Sequence, residues 1–248
     1  SNNIGTTIYN AMIAPLVPFS ISGALWYQGE SNAGRAYQYR QSFPLMIEDW
    51  RKKWNDVFPF YFVQLATFGP YQNSNQGSDW SELREAQTMT LNLPKTGMAV
   101  TTDVGNPNDI HPTNKQDVAH RLASNALKFN YNQDVTYSSP MYESVKLEDG
   151  KATISFKLTG KGLEIRDKFG YLKGFEIAGE DKVFYYAKAE LVGDKVVVYH
   201  PKGLKPTSVR YAWANSPLDA NLFNTEGFPV CPFRTDDWTG VTAGKKFE

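Results

Sequence analysis

The stretch Ile21–Asn32 reads ISGALWYQGESN and joins a short apolar segment to a polar loop that contains a glycine. Ile21–Tyr27 has the length and apolar character of a buried strand, and Gln28–Asn32 predicts a loop directly after it. Ala36–Trp54 follows with apolar residues at spacings of three and four, which predicts an amphipathic crossover helix. The residues of its apolar face are Tyr39, Phe43, Met46, Ile47 and Trp50. Strand, loop and helix in this order are typical of parallel βα units.

The same alternation extends on both sides of this unit. Further strands are predicted at Phe60–Leu65 and Thr96–Thr102. Helices are predicted at Ile8–Val17, Ser81–Leu91 and Asn114–Asn130, the last with Val118, Leu122, Ala126 and Phe129 toward the sheet. Parallel sheets bind ligands outside the carboxyl ends of their strands. Because three strands leave an exposed edge, we expect the sheet to continue with strands from a preceding segment.

The pattern changes after Pro140, where short β-branched and aromatic segments alternate with glycines. Antiparallel strands are predicted at Ala152–Leu158, Gly174–Ala178, Val183–Val192, Lys195–Tyr199 and Ser208–Ala214. Asp149-Gly150 and Gly193-Asp194 are turn signals between them. The sequence therefore predicts an α/β domain at residues 1–139 and a β-sandwich-like domain at residues 140–248.

Composition narrows the classes of function. Twenty-six basic residues balance 26 acidic ones, so no net field favours nucleic acid, an anionic membrane or a polyacidic ligand. No stretch reaches the roughly 18 apolar residues that span a bilayer. Cys231 is the only cysteine, which excludes an intrachain disulfide. A small neutral or sugar-like substrate fits this composition.

The loop after the third predicted strand contains His111 in the stretch Asn108–Asn114, NDIHPTN. A histidine oriented by a neighbouring carboxylate is suited to act as a general base. A loop or helix-capping histidine is the structural alternative. Asp103, Asp109 and His111 could instead hold a metal, although no second histidine or cysteine stands at ligand spacing.

The loop after the first predicted strand, Gln28–Asn32, places polar side chains beside a glycine. Such a loop is suited to hold a carbonyl oxygen or sugar hydroxyls. The alternative is that Ser31 or Asn32 only caps the following helix.

With both loops in place, the chain resembles the C-terminal part of the sialate O-acetylesterases of the SGNH hydrolase superfamily. The resemblance covers nearly the whole chain. It is carried by YNAMIAPL at 9–16, WYQGESNA at 26–33, DIHP at 109–112 with NKQ at 114–116, VRYAWA at 209–214, NTEG at 224–227 and PFRT at 232–235.

The resemblance implies a partial flavodoxin-like α/β/α core followed by the β-rich domain. It also implies a serine esterase that removes O-acetyl groups from sialic acid or related sugars, without a metal or an organic cofactor. The family is exported, so a periplasmic or secreted location is expected. Its nucleophilic serine follows the first strand, far upstream, so we expect this chain alone to be inactive and the missing N-terminal half of the domain to supply that serine.

Roles for individual residues follow from the same resemblance. His111 matches the family's base, and Asp109 is the expected acid. Many SGNH enzymes have Asp-x-x-His, whereas Asn108 occupies that position here, so Asp103 remains a competitor for the acid. Gln28 and Gly29 occupy the block in which the superfamily places an oxyanion-hole donor, and Glu30 is expected to orient the loop.

Two other hypotheses remain open. Ser31 could be the nucleophile of a self-sufficient hydrolase, because GESNAG at 29–34 resembles the elbow Gly-x-Ser-x-Gly with its last glycine one residue late. The chain could also be a non-catalytic carbohydrate-binding protein that stacks sugars on Tyr211, Trp213 or Trp238, although aromatic residues more often fill cores.

Overall fold

The computed structural model describes residues 6–247. Its first part is a three-layer α/β arrangement, as predicted. The chain begins with a short π-helix (Tyr9–Ile13) and a 3-10 helix (Ala14–Leu16). The strands are β1 (Ala24–Trp26), β2 (Phe60–Val63) and β3 (Thr96–Ala99). Each strand is followed by one long helix: α1 (Ala36–Trp54), α2 (Asp79–Thr90) and α3 (Lys115–Phe129), respectively. The three strands are parallel in the order β1-β2-β3.

Strand β2 lies at the centre of this sheet and is buried on both faces. Its side chains alternate: Phe60 and Phe62 join the core that α1 and α2 cover, whereas Tyr61 and Val63 join the core beneath α3. This period of two explains why a central parallel strand reads as a continuous apolar run.

Strand β1 is one of the two edges of the sheet in the part of the chain that the structure describes. Ala24 and Trp26 pack toward α1, but Leu25 points to the opposite face and is 67% exposed. The continuation of the sheet beyond β1 stays a prediction.

The second part of the chain forms antiparallel sheets. Its strands are β4 (Met141–Glu148), β5 (Lys151–Lys157), β6 (Leu163–Ile165), β7 (Phe175–Ala178), β8 (Phe184–Tyr186), β9 (Lys188–Val192), β10 (Lys195–Tyr199), β11 (Ser208–Tyr211), β12 (Leu222–Asn224) and β13 (Phe233–Arg234). Two four-stranded sheets, β4-β5-β10-β9 and β13-β11-β7-β8, share one apolar core, and β12 pairs with β6. The fold class predicted from the sequence is thus confirmed.

Three local predictions were wrong. The segment Val183–Val192 is two strands, because the chain passes from one sheet to the other around Ala187. The strand from Ser208 ends at Tyr211, since Ala212 has a positive φ of 52°. Phe129, in the last turn of α3, does not face the sheet: its side chain is 52% exposed and packs on Tyr137.

The two parts of the chain are joined through buried polar contacts. Arg84 on α2 is fully buried and donates to the carbonyl oxygens of Leu65 (2.8 Å), Ala66 (2.9 Å), Ala214 (2.6 Å) and Asn215 (3.0 Å). Burial lowers the pKa of the Arg84 guanidinium to about 9, so the group stays charged at neutral pH. It links the loop after β2 to the segment after β11.

The boundary between the two parts is shared. Cys231 and Met141 belong to the core beneath α1 and α2, although both lie in the antiparallel part of the chain. The division at residue 139 therefore stays a prediction.

Candidate active site

The loops after β1, β2 and β3 meet at one edge of the sheet, because parallel strands bring their carboxyl ends to the same side. The loop after β2 contacts the loop after β3: Thr67 Oγ1 donates to the Thr102 carbonyl at 2.6 Å, and the Gly69 amide donates to the Pro107 carbonyl at 2.9 Å. Gly105 approaches Thr67 so closely that a Cβ there would lie 2.3 Å from the Thr67 nitrogen. A side chain at position 105 would push the loop after β3 away from the sheet.

Within the loop after β3, Asp109 and His111 form a pair. His111 Nδ1 lies 3.5 Å from Asp109 Oδ1, and the His111 amide donates to the same oxygen at 2.9 Å. The carboxylate thus faces Nδ1, which leaves Nε2 for another partner. The His111 side chain is 86% exposed, so that nitrogen is open to a substrate or a nucleophile.

Asp103 lies in the same loop after β3 but has a different partner. Its two carboxylate oxygens each accept a hydrogen bond from Arg121 at 2.7 Å, and Arg121 also donates to the Val100 carbonyl at 2.6 Å. This bidentate pair occupies both oxygens of Asp103. The arrangement favours Asp109 over Asp103 as the partner of His111.

The loop after β1 is held by a hydrogen-bond chain around Gln28. Tyr39 on α1 donates its hydroxyl proton to Gln28 Oε1 at 3.0 Å, and Gln28 Nε2 donates to Asn32 Oδ1 at 2.7 Å. An amide nitrogen carries two protons, so one Gln28 proton remains for a ligand. The Gln28 side chain can therefore act as a fixed hydrogen-bond donor.

Both the backbone conformation and the close neighbours of position 29 require a glycine there. It has φ of 151°, and a Cβ at this position would lie 3.0 Å from Leu83 and 3.2 Å from the Gln87 side chain. The glycine thus lets the loop descend onto α2, where any larger residue would displace it.

Gln87 was not singled out from the sequence. It is fully buried on α2, and its Nε2 donates to the carbonyls of Gln28 (3.3 Å) and Val63 (3.1 Å), while its Oε1 accepts the Leu65 amide at 2.9 Å. One side chain thereby ties the loop after β1 to the end of β2. The signal available in the sequence was a glutamine four residues after Leu83, on the buried face of an amphipathic helix.

Glu30 begins the 3-10 helix Glu30–Arg35, which runs directly into α1. Burial, with a smaller contribution from the Glu30 charge, raises the pKa of Tyr27 to about 12. The N-cap position of α1 is Arg35, without a side-chain cap, so the hypothesis that Ser31 or Asn32 caps this helix is wrong. The continuous helical turn removes the need for a cap there.

The two loops are neighbours. Lys115, at the start of α3, places Nζ 5.1 Å from the centre of the Tyr27 ring, and Ile110 packs on the core that contains Trp26. His111 lies between Ile110 and Lys115 in the chain, so the structure brings the Gln28 loop and the His111 loop to the same region.

The alternative hypotheses find little support in the geometry. Among residues 6–247, the Ser31 hydroxyl makes no hydrogen bond to His111, and no group of three potential ligands that could hold a metal is present. Tyr211 and Trp213, two of the suggested sugar platforms, are 1% and 4% exposed and therefore belong to the core. In the described part of the chain, no helix is long and apolar enough to cross a membrane.

Comparison with known proteins identifies the family of the chain. The sequence profile of a family described as "Carbohydrate esterase, sialic acid-specific acetylesterase" matches residues 2–128. The sialate O-acetylesterase of Mus musculus is 35% identical over 162 residues, which cover 57% of this chain and 30% of the mouse protein. The sialate O-acetylesterase of Homo sapiens is 33% identical over 162 residues, 57% of this chain and 31% of the human protein.

A solved structure extends the similarity to the antiparallel part. The crystal structure of a novel carbohydrate acetylesterase from Xanthomonas citri superimposes with a TM-score of 0.89 at 46% identity, and covers 93% of this chain and 54% of that chain. This chain thus spans about half of the Xanthomonas protein and about a third of the curated relatives. From the profile match, the identity and the shared fold, we conclude that the chain belongs to the sialic acid-specific acetylesterase family of carbohydrate esterases.

Proposed function

We propose that this chain is the histidine-bearing part of an esterase that removes O-acetyl groups from sialic acid or a related acetylated sugar by a Ser-His-Asp mechanism. The observation that carries the proposal is the Asp109 carboxylate facing His111 Nδ1 at 3.5 Å, at the ligand-binding edge of a parallel sheet. Family membership supports deacetylation of carbohydrates.

The nucleophile in this proposal is a serine outside the chain. The exposed His111 ring and the uncovered face of β1 at Leu25 support a further segment beside the site. The lengths of the relatives, of which this chain covers 30% to 54%, are consistent with such a segment.

The reaction then assigns a step to each residue. His111 Nε2 takes the proton of the serine hydroxyl as its oxygen attacks the acetyl carbonyl carbon, and Asp109 stabilises the imidazolium that forms. The remaining Gln28 amide proton stabilises the negative carbonyl oxygen. His111 returns the proton to the sugar oxygen as the ester bond breaks, and water then releases acetate from the acetyl-serine with His111 again as base.

The test measures acetate release from an aryl acetate and from O-acetylated sialic acid, by this chain alone and by the chain joined to the preceding segment of its gene. We expect activity only in the longer protein. His111→Ala should lower it at least about a hundredfold, because a general base contributes that much or more. His120→Ala, which changes an exposed histidine of α3, is the matched control.

Two results would contradict the proposal. Full activity of the His111→Ala protein would remove the base from its role. Robust activity of this chain alone would locate the nucleophile within it, and Ser31→Ala would then be the first variant to measure.

A further inference from the structure

A cavity of about 530 Å³ lies between the two parts of the chain, and its lining residues differ from those assigned above. The loop after β2 contributes Tyr71 and Gln72, β8 contributes Tyr186, and the segment after β11 contributes Asp219. We call this the tyrosine cleft, defined by Tyr71, Gln72, Tyr186 and Asp219. Its volume is within the range of small-molecule sites.

Two aromatic rings are accessible at the cleft. Tyr71 is 48% exposed and Tyr186 is 59% exposed, and their hydroxyl groups are 3.1 Å apart. The face of an aromatic ring carries partial negative charge and packs well on the C–H groups of a sugar ring, while the hydroxyl bonds to water or ligand. Trp213 also lines the cavity, but it is buried, with guanidinium groups of Arg210 and Arg234 each 5.3 Å from its ring centre.

The polar groups of the cleft differ in their availability. The Glu176 carboxylate accepts bonds from the Ser74 amide and hydroxyl, and Lys173 Nζ lies 2.6 Å from Asp167. Within residues 6–247, by contrast, the side chains of Gln72 and Asp219 make no hydrogen bond or ion pair. A free amide and a free carboxylate beside two hydroxyl groups match the vicinal diols of a sugar.

The net charge of the cleft lining indicates which class of sugar can bind. The cleft is lined by the carboxylates of Glu176 and Asp219, and the ammonium of Lys173, which also lines it, is paired with Asp167, so the lining is negative on balance. A negative cleft disfavours the carboxylate of an acidic sugar. A neutral sugar is thus the better match.

The cleft wall contains a conformation that costs free energy. Ala212 has φ of 52°, a left-handed value that is uncommon for residues other than glycine, and its amide donates to the Gly174 carbonyl at 2.9 Å. Both residues line the cavity. Such strain often marks a ligand site, because the surrounding structure must hold it in place.

The cleft is close to the His111 loop. The hydrogen bond from the Gly69 amide to the Pro107 carbonyl joins the two loops. Tyr71 lies two residues after Gly69, and Asp109 two residues after Pro107, so their backbones are at most about 20 Å apart. A short oligosaccharide can span that distance.

We propose that the tyrosine cleft is a subsite that binds a neutral pyranose ring of the glycan carrying the acetylated sugar. The inference rests on the proposed function for its role in catalysis, but binding of neutral sugars can be measured without it. Tyr186 and Tyr71 stack on the ring, and Gln72 and Asp219 bond to its hydroxyl groups.

The experiment titrates this chain with methyl β-galactoside, methyl β-glucoside, methyl β-xyloside and the methyl glycoside of N-acetylneuraminic acid, using saturation-transfer NMR and calorimetry. The variants are Tyr186→Ala and Tyr71→Ala. Tyr185→Ala is the matched control, because this neighbour on β8 is 41% exposed and does not line the cavity. Thermal unfolding of each variant verifies that the fold is kept.

We expect at least one neutral glycoside to bind with millimolar affinity. Loss of either cleft tyrosine should weaken it about tenfold, and Tyr185→Ala should leave it unchanged. In the longer protein, Tyr186→Ala should raise KM for an acetylated oligosaccharide and leave hydrolysis of an aryl acetate unaltered.

Several results would overturn the inference: no saturable binding of any neutral glycoside, equal binding by the Tyr186→Ala and Tyr185→Ala proteins, or binding of the acidic sugar alone. Tyrosine-dependent binding of a neutral glycoside by a protein without esterase activity would retain the cleft and reject the proposed function. The two failures are therefore distinguishable.

Discussion

Asp103 and Asp109 lie in the same loop, after β3, and have different partners. Asp103 neutralises Arg121, whose side chain is 5% exposed and which also bonds the carbonyl of Val100. Asp109 is half exposed and faces His111. At the scale of the residue, one carboxylate is paired with a buried guanidinium and the other faces an exposed histidine.

This contrast gives a paired prediction for the full-length enzyme. Asp109→Asn should lower kcat/KM on the order of 10² to 10⁴, since the imidazolium loses its stabilising charge, with little change in stability. Asp103→Asn should lower the free energy of unfolding by about 2 kcal/mol, because a buried guanidinium loses its counter-charge. Acetate release and urea unfolding of both variants measure the two effects, and the reverse pattern would assign the acid to Asp103.

At the scale of the element, α2 connects the sheet, the Gln28 loop and the antiparallel part. Its Glu85 accepts bonds from Arg40 on α1 (2.6 Å) and Arg234 on β13 (2.7 Å). Asp236 continues the chain of charges by pairing with Arg210 at 2.8 Å and Arg234 at 3.4 Å. Five charged side chains thus join two helices to two strands.

Asp236 makes this network dependent on pH. Burial opposes its ionisation, but the hydrogen bonds and charges of Arg210, Ser208 and Arg234 outweigh burial and lower the pKa of Asp236 below its ordinary value. The stabilisation is therefore complete above the unfolded pKa of about 4 and is lost as the pH falls through the folded pKa.

Asp236→Asn should accordingly lower the free energy of unfolding by about 3 kcal/mol near neutral pH, because two guanidinium groups lose a buried partner. The difference from the unaltered protein should shrink as the pH falls below about 4. Urea titrations over this range provide the measurement. A difference that stays constant with pH would mean that the Asp236 charge does not stabilise the fold.

The elements also separate what the sequence could predict from what it could not. The bounds of α1, Ala36–Trp54, were predicted in full because its apolar spacing is local. Val183–Val192 was predicted as one strand but forms two, because the change of sheet at Ala187 depends on strands that are distant in the sequence.

The site divides in the same way. Asp109 and His111 stand two residues apart, so local spacing made them a candidate pair, and the family resemblance supplied their expected roles. Gln87 acts on Gln28, 59 residues away, and only packing brings them together.

At the scale of the whole molecule, Arg84 connects the two parts by its four bonds to carbonyl oxygens. Glu82 adds a second connection, because its carboxylate accepts the amides of Val241 (2.6 Å) and Thr242 (3.0 Å). Both residues are buried on α2. The parts should therefore unfold as one cooperative unit.

Arg84→Met should break that unit. The carbonyls of Leu65 and Ala214 then lose their donor, whereas those of Ala66 and Asn215 keep bonds from the Trp80 indole and the Phe68 amide. At about 1 kcal/mol or more for each unpaired group, a loss of about 2 kcal/mol or more is expected. Far-UV circular dichroism and tryptophan fluorescence should report one transition in the unaltered protein and separate transitions in the variant. Arg166→Met, at an exposed ion pair, is the control and should cost less than about 1 kcal/mol. A loss no larger than that of the control would show that Arg84 does not hold the parts together.

The position of Cys231 makes its thiol a natural probe of transient opening between the two parts of the chain. This thiol is 1% exposed, burial raises its pKa, and it contacts Gln64 and Thr88 where the antiparallel part meets α2. A thiol reagent can reach Cys231 only while the contact between the antiparallel part and α2 is open, and no other cysteine competes for the reagent. The rate of thiol labelling therefore measures how often the two parts of the chain separate under native conditions. No probe has to be engineered into the chain for this measurement.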